Sequence, residues 1–189
     1  AAQCCDQAGF RPKYSTDDHL FTLALLQEKC NEWQQDLYIA TLDYKKAFDT
    51  ISHQSIWNAL VSHGVPNRYV KMLQKLYSGQ TATVQTDRTS RTFDIGRGTK
   101  QGDPLSPQLF NAVLQHIMEP VIQSWVTKGF GFRMQGKRMT NLRFADDVLL
   151  FATSLPQITK MGEDVYHEAR LDGLELHPDK TKIRHNSRQ

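Results

Sequence analysis

The sequence predicts an α+β fold, a mainly antiparallel sheet backed by helices, and three observations lead to it. A short apolar run at 37–42 is typical of a buried strand and ends on Asp43. Two further apolar runs, at 142–145 and 148–151, flank Asp146-Asp147, which has the position of a tight turn in a hairpin. Strand and helix patterns alternate along the chain without regular βα units, which favours antiparallel pairing.

Helices are predicted where apolar residues recur at helical spacing between capping and stop residues. Ser15 or Thr16 is expected to cap the first helix. Two helices follow at 52–63 and 67–78, each ended by a glycine, and a last helix ends at Gly173. In the helix at 67–78, the residues expected to point inward are Tyr69, Leu73, Leu76 and Tyr77.

The remaining elements are predicted from turn and proline signals. β-Branched residues on both sides of a polar turn predict a hairpin across 81–86 and 92–95. Ser106-Pro107 predicts the start of a long helix as a cap followed by proline. Pro120 should kink or end that helix, because proline lacks an N–H and clashes with the preceding turn. A short edge strand is predicted at 174–176.

Composition places the chain among compact folded proteins. Of its 189 residues, 39% are hydrophobic and 23% are charged, which suits one core without a low-complexity segment. No apolar run approaches the roughly 18 residues of a membrane span, so no membrane partner is expected. The three cysteines (Cys4, Cys5 and Cys30) form neither a disulfide framework nor a zinc pattern, and free thiols are expected.

The net charge of +3 indicates little, but the positive charges are unevenly distributed. No acidic residue lies between Glu119 and Asp146. The basic residues of this stretch are Lys128, Arg133, Lys137, Arg138 and Arg143, and those of the tail are Lys180, Lys182, Arg184 and Arg188. Such stretches suit a nucleic-acid backbone, and a solvated basic face is the alternative.

The candidate catalytic residues are Asp43, Asp146 and Asp147. Acidic residues are unfavourable at the ends of apolar strands, and a bound divalent cation would stabilise them there. Mg²⁺ binds one or two protein carboxylates together with phosphate oxygens and water. Two such ions, about 4 Å apart, activate an attacking oxygen and stabilise a leaving one. Asp43 and Asp146 would share both ions, with Asp147 beside them. For an isolated Asp-Asp pair, ordinary turn chemistry is the alternative.

Five blocks of sequence favour the catalytic interpretation. They are Gln7-Ala8-Gly9-Phe10-Arg11, Leu42-Asp43-Tyr44-Lys45-Lys46-Ala47-Phe48-Asp49, Arg97 to Pro107, Phe144-Ala145-Asp146-Asp147 and Gly173 to Thr181. In order and spacing they resemble the conserved blocks of reverse transcriptases, over nearly the whole chain. The Phe-Ala-Asp-Asp form most resembles non-LTR (LINE-type) retrotransposon enzymes, with group II intron enzymes close behind.

The resemblance implies roles for the residues around the first aspartate. Asp43, Asp146 and Asp147 match the metal-binding aspartates of the family, and Tyr44 is a further candidate metal ligand. Backbone N–H groups next to the first aspartate would bind the incoming triphosphate. The residues that carry these groups are Tyr44, Lys45, Lys46 and Ala47.

Further matches concern the nucleotide and the leaving group. Phe48 matches the aromatic residue that excludes a ribose 2′-hydroxyl, and a plain core aromatic is the alternative. Gln101-Gly102 matches the loop under the nucleotide, where glycine allows close backbone approach. Lys180 matches a late lysine that protonates pyrophosphate. Lys182 competes for this role, and His177 stands where the family usually has asparagine.

Other matches imply contacts with template and primer and a division into subdomains. The residues expected to contact template or primer are Arg11, Arg97, Lys100, Phe144 and Ala145. For Arg11, support of a turn before Pro12 is the alternative. The resemblance implies fingers segments at about 1–36 and 79–106, and palm segments at about 37–78 and 107–189, with the thumb and upstream fingers absent.

The implied function is RNA-templated DNA synthesis with two Mg²⁺ ions, or Mn²⁺ as a substitute. Its partners would be an RNA template, a DNA or RNA primer and deoxynucleoside triphosphates, and the family implies nuclear action. Protein partners are not indicated. Three alternatives stay open at this point: an RNA-making polymerase, which Phe48 disfavours, a non-catalytic nucleic-acid-binding module, and a two-metal nuclease.

Overall fold

A computed structural model describes residues 6–10, 14–86, 90–100, 102–134 and 136–186. In chain order the elements are α1 (Thr16–Glu32), β1 (Tyr38–Leu42), α2 (Ala47–Thr50), α3 (His53–Ser62), α4 (Asn67–Tyr77), β2 (Thr81–Ala82), β3 (Phe93–Asp94), α5 (Ser106–Lys128), β4 (Phe132–Met134), β5 (Lys137–Met139), β6 (Asn141–Phe144), β7 (Asp147–Ala152), α6 (Leu155–Leu171) and β8 (Lys182–His185). The predicted α+β class with antiparallel sheets is confirmed.

The main sheet has four antiparallel strands in the order β6-β7-β1-β8. Strand β1 lies between β7 and β8, so that Ala40 is opposite Leu150 on one side and Ile183 on the other. Strands β6 and β7 form the predicted hairpin, with Phe144 opposite Asp147 at its turn. The sheet therefore joins segments more than 100 residues apart, and its central strands are β7 and β1.

Helices α3, α5 and α6 cover one face of this sheet. Successive strand residues point to opposite faces, so alternate residues of β1 and β7 enter the same core. The strand residues in this core are Ala40, Leu42, Val148, Leu150 and Ala152. Helix α5 is the central helix of the core, with Phe110, Leu114 and Trp125 fully buried. The Trp125 ring N–H donates to Asp164 at 3.0 Å and links α5 to α6.

The opposite face of the sheet packs against α1 and the β4–β5 hairpin. The buried residues of this second cluster are Leu26, Cys30, Leu37, Phe132, Leu142 and Phe151. Helix α1 begins where the sequence predicts, because Ser15 and Asp18 form a capping box in which the Ser15 N–H donates to the Asp18 carboxylate. Cys30 is a buried free thiol, and Cys4 and Cys5 lie outside the described residues.

Three local predictions differ from the structure. Pro120 does not end α5, which was one of its two predicted effects, and the helix continues to Lys128 because apolar side chains on both sides of the proline are buried in the core. In α4, Tyr69 and Leu76 are 44% and 59% exposed, whereas Val70 is buried in their place. Ser106 is the first residue of α5, and Leu105 holds the N-cap position.

The predicted edge strand at 174–176 is a single bridge between Leu176 and Tyr44. A turn begins at the next residue, His177, and Pro178 after it lacks an N–H, so pairing does not extend. The strand at this edge of the sheet is β8 instead, whose four residues are all exposed. No helix in the described ranges is long and apolar enough to cross a membrane.

Candidate active site

Two of the three candidate carboxylates are brought together by strand register. Leu42 lies opposite Val148 in the β1–β7 ladder, so the next residues along the two strands, Asp43 and Asp147, meet at the end of the sheet. Asp146 lies in the turn of the β6–β7 hairpin directly before Asp147. Asp43 and Asp147 are each next to a strand residue, Leu42 or Val148, that points into the helix-covered core, so their side chains leave the sheet on the opposite face.

Electrostatics indicates that all three carboxylates are close to one another. Partial burial raises the pKa of Asp147, and the negative charges of Asp146 and Asp43 raise it further. Like charges at the end of a sheet repel each other unless a cation neutralises them. The arrangement therefore favours a cation at this edge.

A lysine supplies part of the positive charge. The Lys180 ammonium lies 3.6 Å from a carboxylate oxygen of Asp43. Lys180 is held in place by a turn in which the His177 carbonyl accepts from the N–H groups of Lys180 and Thr181. The His177 N–H in turn donates to the Asp43 carbonyl at 2.7 Å. The competing Lys182 lies in β8 opposite Thr41, farther along the sheet.

The segment after Asp43 differs in part from its predicted role. The Tyr44 side chain is buried in the core and burial raises the pKa of its hydroxyl, so only its backbone carbonyl is suited to a metal. The Lys45 N–H donates to the Glu175 carbonyl at 2.8 Å and is not free to bind a phosphate. Lys46 adopts a left-handed conformation with φ 46°, and Ala47 begins α2. Lys45 is therefore removed from the backbone N–H groups that were predicted to bind the triphosphate.

Phe48 lies on α2 between the core and a cavity. Its ring packs against Phe110 with centroids 4.6 Å apart, and it is only partly buried. The cavity has a volume of about 390 Å³. Its lining residues are Phe48, Thr99, Lys100, Gly102, Asp103, Pro104, Ser106 and Pro107. The structure thus brings Phe48 and Gly102 together, whereas Gln101 lies outside the described residues.

Backbone hydrogen bonds hold this loop next to Phe48. The Thr99 N–H donates to the Phe48 carbonyl at 2.7 Å, and the Gly98 N–H donates to the Ile51 carbonyl at 2.8 Å. A Cβ on Gly98 would lie 2.8 Å from the Asp49 carbonyl oxygen, so only glycine fits this approach. Arg97 and Lys100 flank this segment and are exposed, as contacts with a polyanion require.

The residues at the sheet end fit a divalent cation that completes its shell with non-protein ligands. In the described ranges, no three His, Cys, Asp or Glu side chains are arranged to hold a metal ion by themselves. Mg²⁺ needs only one or two carboxylates when phosphate oxygens and water supply the remaining ligands. Carboxylate oxygens are the donor type it prefers, and the Asp43, Asp146 and Asp147 side chains are all at least partly accessible.

Two residues of the basic stretch make hydrogen bonds within the protein, and of the two only Arg143 is buried. Arg143 is 1% exposed and donates to the Gln115 side chain at 3.0 Å. Arg138 donates to backbone carbonyls after α5, among them Gly129 at 2.6 Å. Arg133 and Lys137 of the β4–β5 hairpin remain exposed. The basic stretch is therefore partly structural.

One contact to the hairpin turn was missed by sequence reasoning. Gln7 to Gly9, expected in the fingers, lie against the turn that carries Asp146, and Ala145 and Phe144 belong to that turn. The two residues in contact are 138 positions apart in the sequence, so no local sequence pattern predicts the contact. Arg11 of the same block lies outside the described residues.

The fold is that of a polymerase palm with part of its fingers. A family model described as reverse transcriptase (RNA-dependent DNA polymerase) matches residues 2–189. The chain therefore belongs to the reverse transcriptase family.

Relatives of known origin specify the lineage. The chain is 36% identical over 181 residues to the Pol polyprotein of the type-2 retrotransposable element R2DM of Drosophila melanogaster, covering 92% of this chain and 16% of that protein. It is 36% identical over 152 residues to a Pol polyprotein of a type-1 R2 element of Popillia japonica, covering 79% and 21%. The chain spans only a minor part of these relatives. The expected similarity to non-LTR retrotransposon enzymes is confirmed.

Solved structures agree on the fold. Apo telomerase of Candida tropicalis, truncated from its C-terminal domain, superposes with a TM-score of 0.70 at 14% identity, covering 97% of this chain and 37% of that one. Telomerase of the same organism in complex with a fragment of telomeric RNA gives 0.72 at 13% identity, covering 95% and 30%. At these identities the likeness concerns the fold alone.

Proposed function

We propose that this chain is the catalytic core of an RNA-directed DNA polymerase that adds deoxynucleotides to a primer 3′-hydroxyl by two-metal phosphoryl transfer. The observation that carries the proposal is the meeting of Asp43, Asp146 and Asp147 at the end of the central strands, in a chain of the reverse transcriptase family. We further propose that it acts within a retrotransposon replication protein, as its R2 relatives suggest.

Asp43 and Asp146 would hold two Mg²⁺ ions, with Asp147 and the Tyr44 carbonyl beside them, and Mn²⁺ would serve as a substitute. Bound there, the ions would lower the pKa of the primer hydroxyl and neutralise charge on the triphosphate. The protein's own part is to place the carboxylates on one sheet end and to orient the reactants in line, because catalysis of this class is mostly positioning and charge stabilisation.

Lys180 is suited to the departure of pyrophosphate. Its ammonium group is next to Asp43, and it is largely exposed and free to turn towards a phosphate. A positioned lysine can donate a proton to a leaving oxygen or balance its charge. The ion pair with Asp43 would keep the ammonium in reach before the nucleotide arrives.

Phe48 and the Gly102 loop would select and hold the incoming deoxynucleotide. The cavity between them is closed on one side by the Phe48 ring, which packs on Phe110 and cannot move freely. A fixed ring clashes with a 2′-hydroxyl, which is selection by exclusion. On the resemblance alone, Gln101 joins this site, as do the backbone amides of Lys46 and Ala47.

The proposed macromolecular partners are an RNA template and a DNA or RNA primer. Arg97 and Lys100 are exposed beside the nucleotide cavity, and Phe144 and Ala145 precede Asp146 in the hairpin turn, which is where a primer end would lie. Arg11 is included on the resemblance alone. The same resemblance suggests nuclear action and the division into the palm and fingers segments given above.

Primer extension on an RNA template tests the proposal. The protein, carried in the full polypeptide that contains this chain, is given Mg²⁺ and either deoxynucleotides or ribonucleotides. Asp146→Asn should reduce extension by at least about 10²–10³-fold, the scale of losing one group that stabilises transition-state charge. The matched control is Asp17→Asn, which changes an exposed aspartate in the first turn of α1, and this variant should extend the primer normally.

Other outcomes separate the alternatives. Extension with ribonucleotides alone would assign the chain to RNA synthesis. A folded protein that binds nucleic acid without extending any primer would be a binding module. Cleavage of nucleic acid without synthesis would indicate a two-metal nuclease. An Asp146→Asn variant with near-normal synthesis would overturn the proposed site.

A further inference from the structure

The turn that carries Asp146 is held by the side-chain amide of Gln7. Gln7 is 3% exposed, and its carbonyl oxygen accepts from the N–H of Gly9 at 2.8 Å and from the N–H of Ala145 at 3.1 Å. Its NH₂ group donates to the Ala145 carbonyl and to the Asn111 side-chain oxygen, each at 3.2 Å. One amide therefore binds both polar groups of the Ala145 backbone.

Asn111 of α5 closes this network from the other side. Its NH₂ group donates to the Gly9 carbonyl at 2.9 Å, and it is itself buried. The two hydrogen bonds of Asn111, one with Gln7 and one with Gly9, tie the segment to the central helix of the core. Because every member is buried, loss of one partner leaves the others unsatisfied at a cost typical of buried polar groups.

The backbone of the same segment is also fixed against β6. The Ala8 N–H donates to the Arg143 carbonyl at 2.9 Å, and the Arg143 N–H donates to the Asp6 carbonyl at 2.7 Å. A Cβ on Gly9 would overlap the Ala145 amide nitrogen and lie 2.9 Å from the Ala145 Cα. Only glycine allows this approach, so the segment fits the turn without a gap.

Ala145 needs such support because its conformation is costly. Its φ is +56°, in the left-handed region that residues other than glycine rarely adopt. A residue in this region persists only when its surroundings fix it, and such residues cluster at functional sites. Ala145 directly precedes Asp146, so a rotation of the Ala145 peptide moves the Asp146 carboxylate.

We propose that Gln7, anchored by Asn111, is a positioning residue that holds the Ala145 peptide and thereby sets the Asp146 carboxylate in its cation-binding geometry. This inference rests on the proposed function in assuming that Asp146 acts in catalysis. Gln7 itself touches the hairpin backbone and not the reactants. Groups that orient ligands in this way typically change metal affinity or activity by about 10–100-fold when they are replaced.

The chain offers a matched control at the opposite end of β7. The Gln157 side-chain oxygen also accepts from two backbone N–H groups, those of Gly131 and Thr153, each at 3.2 Å. Gln157→Met and Gln7→Met thus remove the same kind of interaction from the two ends of one hairpin. Only the Gln7 change affects the peptide next to Asp146.

The test compares these two variants with the unaltered protein in the full polypeptide. Gln7→Met should abolish the hydrogen-exchange protection of the Ala145 amide, and it should raise the Mg²⁺ concentration for half-maximal extension or lower kcat by about 10–100-fold. Gln157→Met should lower the thermal midpoint but keep kcat and the Mg²⁺ requirement.

Further readouts keep the outcome decisive. If Gln7→Met does not fold, Asn111→Ser keeps both bonds from Gln7 to Ala145, and it should give a smaller shift in the same direction. Equal kinetic effects of Gln7→Met and Gln157→Met, with both proteins folded, would reduce Gln7 to a packing role. Absence of synthesis by the unaltered protein would instead contradict the proposed function. The Ala145 exchange measurement would then still decide whether Gln7 holds the turn.

Discussion

Phe48 lies between the core and a cavity, and this position explains both its restricted motion and its contact with the cavity. One side of the ring packs on Phe110, which restricts its motion, and the ring also lines the cavity beside Gly102. The alternatives of core aromatic and sugar filter are therefore compatible, because the packing is what makes the exclusion effective. A loose ring would move aside for a ribose hydroxyl.

Replacement of Phe48 by alanine should relax the choice of sugar. We expect the ratio of kcat/KM for deoxynucleotides to that for ribonucleotides to fall by at least about tenfold, within the 10–200-fold range of small steric differences. Single-nucleotide incorporation kinetics measures this ratio. Replacing a fully buried phenylalanine by alanine lowers the free energy of unfolding by about 3–5 kcal/mol, and the loss here should be smaller because Phe48 is only partly buried.

Phe48→Tyr is the control for this change, since it keeps the bulk of the ring. Its sugar ratio should stay close to that of the unaltered protein. If Phe48→Ala folds and discriminates normally, the ring serves the core alone and another residue selects the sugar.

At the scale of elements, the nucleotide cavity depends on how closely two segments approach. The segment 97–99 runs along 48–52, with an isolated bridge between Ser52 and Arg97 in addition to the bonds of Gly98 and Thr99. The His53 ring also lies 3.1 Å from the Gly98 carbonyl oxygen. Contacts with α2 and the start of α3 thus fix the segment that leads into the loop containing Gly102.

Gly98→Ala should displace this loop. Gly98 has φ +84°, and a Cβ would lie 2.8 Å from the Asp49 carbonyl oxygen, so the two segments must separate. We expect a loss of about 1–3 kcal/mol of stability from the backbone strain and a larger rise in the nucleotide KM than fall in kcat. Chemical denaturation and steady-state kinetics measure the two effects.

Gly64→Ala separates strain from displacement. Gly64 also has a positive φ, +74°, but a Cβ there has nothing within 4 Å. It should therefore lose stability without any change in the nucleotide KM. An equal KM change in both variants would show that the contact with Asp49 is irrelevant to the cavity.

Elements with local signals were predictable from the sequence, and elements that depend on distant partners were not. The capping box at Ser15, the strand before Asp43 and the hairpin around Asp146 are all encoded by neighbouring residues. All four residues of β8 are exposed, and the strand exists because its backbone pairs with β1. The local helix rule left open whether Pro120 kinks or ends α5, and the helix continues because side chains on both sides of the proline are buried in the core.

The same distinction applies to the candidate site. The aspartates, Phe48 and Gly102 were predicted as site residues because motifs mark them, and their proximity arises only from strand register and loop packing. Burial was not readable from the motif, and Tyr44 and Arg143, which look polar and available, are both in the core. Gln7 was recognised as part of a block, but its contact with Ala145 required the folded chain.

At the scale of the whole molecule, the main sheet brings three negatively charged aspartates together at one end, where they repel each other. Strands β1 and β7 contribute apolar side chains to two cores along most of their length. They then place Asp43 and Asp147 side by side, with Asp146 adjacent. Such a site lowers the stability of the fold unless a cation is bound, which is a common compromise between stability and function.

Asp147→Asn should therefore stabilise the fold at neutral pH when divalent cations are absent. The pKa of Asp147 is raised by burial and by Asp146 and Asp43, so the folded state binds its proton more tightly than the unfolded state does. By linkage, the contribution of this group to stability falls as pH rises from the ordinary aspartate pKa, about 3.9, through the raised value. The difference in thermal midpoint between variant and unaltered protein should be largest near neutrality and should vanish below the ordinary pKa.

Thermal unfolding followed by circular dichroism, with chelator present, measures this difference between neutral pH and pH 3. About 1 kcal/mol moves the midpoint by about 2–4 °C in a chain of this size, so a partial effect is detectable. Asp94→Asn, an exposed residue of β3, is the control and should show no such pH-dependent gain. Mg²⁺ should stabilise the unaltered protein more than Asp147→Asn, because a cation that binds only the folded state relieves the same repulsion. A lower midpoint for Asp147→Asn at neutral pH would mean that the carboxylate stabilises the sheet end, and the proposed compromise would be wrong.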